Sequence, residues 1–217
     1  VVREGEWPGR SARLLLGAVC CGLGAWALLL SQTRNAWLGA LVGLGVVGVL
    51  RAPRLLLLLP VGIVALLLLR PGRITTADAS SLDRLFMWQA GVDMIKAKPI
   101  FGQGPGMILR TYPDYRWPEA PNAQAPHLHD NALQVAAERG LPCLVWWLWL
   151  IAAALADCWR EARRGESASG AALAVLAAVM AAGLFEYNFG DSEVLMFVLL
   201  VIALPYAARR QRDLAPA

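Results

Sequence analysis

The sequence predicts an all-α, polytopic membrane helix bundle interrupted by one long, partly helical external loop. Of the 217 residues, 58% are apolar and 17% charged, with a mean hydropathy of +0.50, a balance outside that of soluble globular domains. The apolar residues gather into six runs. A polar stretch of roughly 70 residues separates the first three runs from the last three, far longer than an ordinary connection.

Runs at Leu14 to Leu30, Ala36 to Leu50 and Leu55 to Leu69 place three transmembrane helices in residues 1–70. Residues 71–142 form the loop. Runs at Cys143 to Ala156, Ala171 to Phe185 and Val194 to Ala208 then place three more helices and a tail in residues 143–217. Several runs fall short of the roughly 20 residues that a crossing needs, so flanking Trp, Tyr and Arg must extend them. The first residue is Val and no signal-peptide pattern precedes the first run, so the chain reads as part of a longer protein.

Basic residues set the expected orientation. Arg3, Arg10, Arg13, Arg51, Arg54, Arg160, Arg163, Arg164, Arg209, Arg210 and Arg212 all fall on one side of a six-span arrangement, which is then cytoplasmic. The links 31–35 and 186–193 share the opposite, external face with the long loop. The net charge of +4 is scattered between apolar runs, which argues against a nucleic-acid partner. Cys20 and Cys21 are adjacent, and Cys143 and Cys158 would stand about 22 Å apart on one helix, so no disulfide framework is expected.

Within the loop, Ser80 and Asp83 resemble a capping box, and Leu85, Trp88, Val92 and Ile95 recur at helical spacing until Pro99. This predicts an amphipathic helix at the membrane surface. Gly102, Gly104 and Gly106 lack the strand-to-helix context of a nucleotide-binding loop and read as a flexible turn. Pro113, Pro118, Pro121 and Pro126 then suit an irregular, shaped lid. Tyr112, Tyr115 and Trp117 read as interface anchors before sugar-stacking groups. Asp130 should cap a second helix running to Arg139, with Gly140 and Pro142 stopping it.

The two histidines, His127 and His129, both lie at the start of that second helix on the external side. They are either solvated or placed to reach a substrate carried in the bilayer. Glu186, Asp191 and Glu193 cluster on the same side, but a short interfacial acidic loop more often satisfies an arginine or caps a helix than holds a cation. The pair His127 and His129 has no neighbouring cysteine to complete a zinc site. No metal and no cofactor are therefore expected.

The spacing of His129, Gly140 and Cys143 is similar to a motif of the O-antigen ligase family, with Asp130 and Cys143 standing where that motif has other residues. The segments 31–37, 84–88, 99–106 and 138–141 resemble the wider ligase and polymerase superfamily in the same order. The resemblance implies a bacterial inner-membrane glycosyltransferase with a periplasmic active-site loop. Its donor would be a glycan on polyprenyl (undecaprenyl) pyrophosphate in the lipid bilayer, and its acceptor a hydroxyl of lipid A core, of another glycan or of a protein.

Such a transfer loads negative charge onto the departing pyrophosphate, and planar guanidinium groups stabilise that charge. Arg34 and Arg84 are the first candidates, with Arg110 and Arg116 behind them; the other use of an arginine at a helix end is to reach lipid headgroups. His129 would be the base that deprotonates the acceptor hydroxyl, with His127 assisting or positioning. Asn131 would hydrogen-bond sugar or pyrophosphate. A single direct displacement would invert the anomeric centre. The rival expectation is a transporter or flippase of polyprenyl-linked glycans, which should carry ionisable residues at mid-span.

Overall fold

A computed structural model describes residues 9–31, 33–51, 53–57, 60 and 79–214. Among the described residues all regular structure is helical, in seven α-helices and two 3₁₀ turns. The α-helices are α1 (Arg10–Ser31), α2 (Arg34–Arg51), α3 (Ala79–Ala97), α4 (Ile108–Tyr115), α5 (Asn131–Arg163), α6 (Ser167–Ala182) and α7 (Ser192–Leu214). Most of the third expected span, Leu55 to Leu69, lies outside the described residues, as do Arg3 and residues 71–78 of the expected loop.

Two helical stretches, Ser11–Ser31 and Asn131–Arg163, are long and apolar enough to cross a bilayer. Ser167–Ala182 and Ser192–Ala207 are apolar but shorter. The 16 residues of α6 extend about 24 Å at 1.5 Å per residue, less than a hydrocarbon core of roughly 30 Å. By length and composition two helices among the described residues are thus candidate crossings, fewer than the six that the apolar runs predict. The four cysteines are free, as the spacing predicts.

Small residues bring α2 onto α6. A Cβ at Gly39 would stand 2.8 Å from the carbonyl oxygen of Ala178, and one at Gly43 would stand 3.3 Å from that of Ala174. Glycine at four-residue spacing therefore meets alanine at four-residue spacing, the packing that lets helices approach where lipid removes the hydrophobic drive. Ile151, Ala154 and Cys158 of α5, Leu173 and Leu176 of α6, and Val198 and Val201 of α7 close the bundle core. Buried Glu161 ties α5 to α7, accepting from Arg164 at 2.8 Å and Arg209 at 2.7 Å.

A second core belongs to the segment 79–140. Met87, Ala90 and Met94 of α3 pack with Ile108 and Tyr112 of α4 and with Ala125, Leu128 and Ala137. Of the stripe expected to face the membrane surface, Leu85 and Val92 are exposed, while a second stripe of Met87, Ala90 and Met94 is buried. α3 carries two apolar stripes at helical spacing, and the one with slim, flexible methionines and alanine fits the tight core. Ser80 lies inside α3 instead of capping it, and Asp83 accepts from Asn122 Nδ2 at 2.6 Å. Pro113 sits within α4 despite its missing N–H, because burying Ile108 and Tyr112 outweighs one lost hydrogen bond in a helix of eight residues.

The three loop glycines form no slack turn. Gln103 N donates to Ala137 O at 2.8 Å, Gly104 N to Glu138 O at 2.9 Å and Leu141 N to Pro99 O at 2.8 Å. Two backbones cross there, and Gly102 (φ 66°) and Gly140 (φ 85°) occupy the crossing. A Cβ on Gly102 would fall 2.4 Å from the carbonyl carbon of Glu138, and one on Gly140 2.0 Å from Ile100 O. Gly140 also breaks α5 into 131–139 and 141–163, as its sequence position predicts.

Candidate active site

The site grows from the tripeptide His127-Leu128-His129. Leu128 is fully buried in the core of segment 79–140, and its N–H donates to Gln134 Oε1 at 2.8 Å. With that plug fixed, the flanking histidines both turn to one side, ring centroids 4.1 Å apart. Asp130 then caps α5 as expected, its carboxylate accepting from Leu133 N at 2.6 Å.

His129 carries φ 52°, the only positive φ outside glycine among the described residues. Left-handed backbone costs a non-glycine residue roughly 1–2 kcal/mol, and such strain gathers where a side chain must be aimed. The aim is Glu186: His129 Nδ1 lies 3.0 Å from Glu186 Oε1, and His127 Nδ1 lies 3.7 Å from the same oxygen. The three groups bring candidate ligand atoms within 4.8 Å of one another.

Glu186 is held below its usual carboxylate range, chiefly by the hydrogen bond with His129. His127 is held below its ordinary value by burial first, then by neighbouring His129. An ionised Glu186 favours the His129 tautomer with its proton on Nδ1. That leaves Nε2 as a proton acceptor.

Asn131 ties the start of α5 to the connection that carries Glu186. It is 2% exposed, its N–H donates to Gly183 O at 2.9 Å, and its Oδ1 accepts from Phe189 N at 3.2 Å. Its side chain is thus engaged with the 183–191 connection. Beneath the histidines, Gln134 Nε2 donates to Glu138 Oε1 at 2.9 Å, which also accepts from Gly106 N at 3.0 Å. Arg139 closes that network at 3.1 Å from Glu138 Oε2.

Two clefts flank this centre. One, of about 380 Å³, is lined by Arg34, Asn35, Leu38, Ser81, Arg84, Leu85, Trp88 and Phe185. It unites the first-choice arginines from α2 and α3, with Arg34 Nη1 3.4 Å from Ser81 Oγ. The other, of about 460 Å³, is lined by Gly106, Pro126, His127, Gln134, Glu138, Arg139, Glu186, Tyr187, Gly190 and Asp191. Arg110 is exposed on α4 and lines neither. Arg116 donates to the carbonyls of Ala120 at 2.7 Å and Asn122 at 3.0 Å, bracing the proline-rich stretch.

Sequence reasoning placed Glu186 on the right face but gave it an arginine or a cap as partner; its partner is His129. The signal was its position at the outer end of a span, on the side assigned to both histidines. Glu138 was marked only as part of the segment 138–141 and Gln134 not at all; the available signal was their four-residue spacing, which puts both on one face of a short helix. A family model described as O-antigen ligase matches residues 19–148, well over half of the chain. No curated protein matches it.

Proposed function

Because the chain belongs to the O-antigen ligase family, with membrane glycan transfer as the general activity, we propose that it moves a glycan from a polyprenyl pyrophosphate carrier to an acceptor hydroxyl, with His129 as base. The observation that carries this reading is the 3.0 Å contact between His129 Nδ1 and Glu186 beside the cleft that holds Arg34 and Arg84.

His129 Nε2 takes the acceptor proton while the acceptor oxygen bonds to the anomeric carbon. The bond from that carbon to the carrier's phosphate oxygen breaks, its electron pair leaves with the pyrophosphate, and the anomeric centre inverts. Arg34 and Arg84 receive the charge that grows on the leaving group. Leu38, Leu85, Trp88 and Phe185 suit the apolar start of the carrier's tail.

The same reading includes six crossings of a bacterial inner membrane, with residues 71–142 on the periplasmic side. The small-residue contact between α2 and α6 supports it, as do the lipid-compatible exposed side chains of α1, including Leu15 and Trp26. His129 precedes α5, Arg34 opens α2 and Glu186 lies between α6 and α7, so the groups of this site stand at helix ends, which favours an enzyme over a transporter.

The test is glycan transfer in membranes from purified donor, with and without EDTA. His129→Ala should lose transfer by about 100-fold to 10,000-fold while still binding donor, and EDTA should have no effect. Unchanged transfer by the variant removes His129 from the mechanism. Inhibition by EDTA, restored by a divalent ion, favours a second reading in which His127, His129 and Glu186 hold a metal, the set of two histidines and one carboxylate known from zinc hydrolases.

A further inference from the structure

We propose that the polar cleft bounded by Gly106, His127, Arg139, Tyr187 and Asp191 is the subsite for an uncharged sugar acceptor, with Tyr187 and Asp191 setting its specificity. This rests on the glycosyl-transfer reading and deepens it by naming the acceptor's chemical class.

Three consecutive residues join the two clefts. Phe185 lines the arginine cleft, whereas Glu186 and Tyr187 line the polar one. Glu186 also holds His129. The two clefts therefore meet at the connection that supplies the carboxylate partner of His129, which places a donor in the first cleft next to an acceptor in the second.

Charge sorts the two substrates. The first cleft presents two guanidinium groups among apolar walls and suits a lipid-linked pyrophosphate. In the second, Arg139 is matched by Glu138, which leaves the carboxylates of Glu186 and Asp191 unbalanced. That field repels phosphate and carboxylate groups. Sugar hydroxyls are donors as well as acceptors, and ionised carboxylates are acceptors alone, so a neutral polyol fits.

Shape agrees. Gly190 backs onto the Tyr187 ring, where a Cβ would fall 2.5 Å from Cε1, and the His127 ring stands 6.1 Å away. The tyrosine is thereby held at the cleft wall, where the C–H face of a pyranose would pack against its ring. His127 lines the same cleft, its Nδ1 turned to Glu186 Oε1 at 3.7 Å, so its ring edge adds a second wall beside Tyr187.

The experiment measures transfer in membranes with purified polyprenyl pyrophosphate donor and two acceptors, one ending in a neutral sugar and one in the same sugar bearing a phosphate. The unsubstituted protein should favour the neutral acceptor by about 10-fold or more in kcat/KM. Asp191→Asn and Tyr187→Ala should each raise the neutral acceptor's KM roughly 10-fold, with the donor's KM within about 2-fold of the original. Asp191→Lys should improve use of the phosphorylated acceptor. Preference for the phosphorylated acceptor, or a rise in donor KM with acceptor KM unchanged, overturns the subsite alone. Absence of transfer to either acceptor by the unsubstituted protein removes the glycosyl-transfer reading and the subsite with it.

Discussion

His129 owes its reach to a backbone angle that most side chains avoid. Buried Leu128 on one side and the Asp130 cap on the other hold that angle, so the strain is borne by local packing and hydrogen bonds. Glu186→Gln keeps the shape but weakens the preference for a proton on Nδ1, and kcat should fall about 10-fold to 100-fold with little change in the donor's KM. Steady-state kinetics with donor and acceptor varied separately check this. His127 titrates below its ordinary value of 6.5 because it is buried beside His129. On acidification through 6.5 the unfolded chain binds this proton before the folded protein does. The associated stability is complete above that pH and is lost as the pH falls through the lowered folded value. Melting in detergent between about pH 7.5 and 5.5 should show a falling Tm, and His127→Asn should fall less. The histidines were legible in the sequence because they are the only two in the chain. Glu186 was legible only as an external carboxylate, since its partner lies 57 positions away and no local pattern records such a pairing.

At the level of elements, periodicity located α3 and the first part of α5 but did not reveal the second stripe of α3, which is the buried one. Leu85 and Met87 lie on different stripes that are both apolar, and only the partners Ile108 and Tyr112 decide between them. Glycine spacing predicts a flexible turn, whereas Gly102 and Gly140 are the points where two backbones meet. Gly140→Ala places a Cβ against Ile100 O and forces a left-handed φ on alanine, which should cost roughly 2 kcal/mol or more. Limited proteolysis in membranes should then cut segment 79–140 faster than in the unsubstituted protein. Gly106→Ala meets open space but keeps the strained φ, so its cost should be about 1 kcal/mol. The contrast between the two substitutions separates a crossing from a simple turn.

For the whole molecule, composition predicted helices in a bilayer, and the runs marked their order. The ends of the helices were not readable, because α6 is held by Gly39 and Gly43 of α2 more than by its own length. That contact also sets the arginine cleft, since Arg34 opens α2 while Arg84 rides on α3. Gly39→Leu should push α2 from α6 and raise the donor's KM roughly 10-fold, with the acceptor's KM little changed, measured in the same transfer assay. The connection 183–191 supplies Glu186 from between the last two helices, and this has a consequence for how the protein is made. Segment 79–140 has its own core and, under the proposed topology, can fold outside the bilayer while the ribosome is still extending the chain. On the proposed reading, His129 then lacks its carboxylate until Glu186 has been made after α6. A chain halted after Ala182 should therefore yield a protease-resistant external fragment that transfers nothing, so that half-made copies in the membrane leave the carrier's cargo untouched.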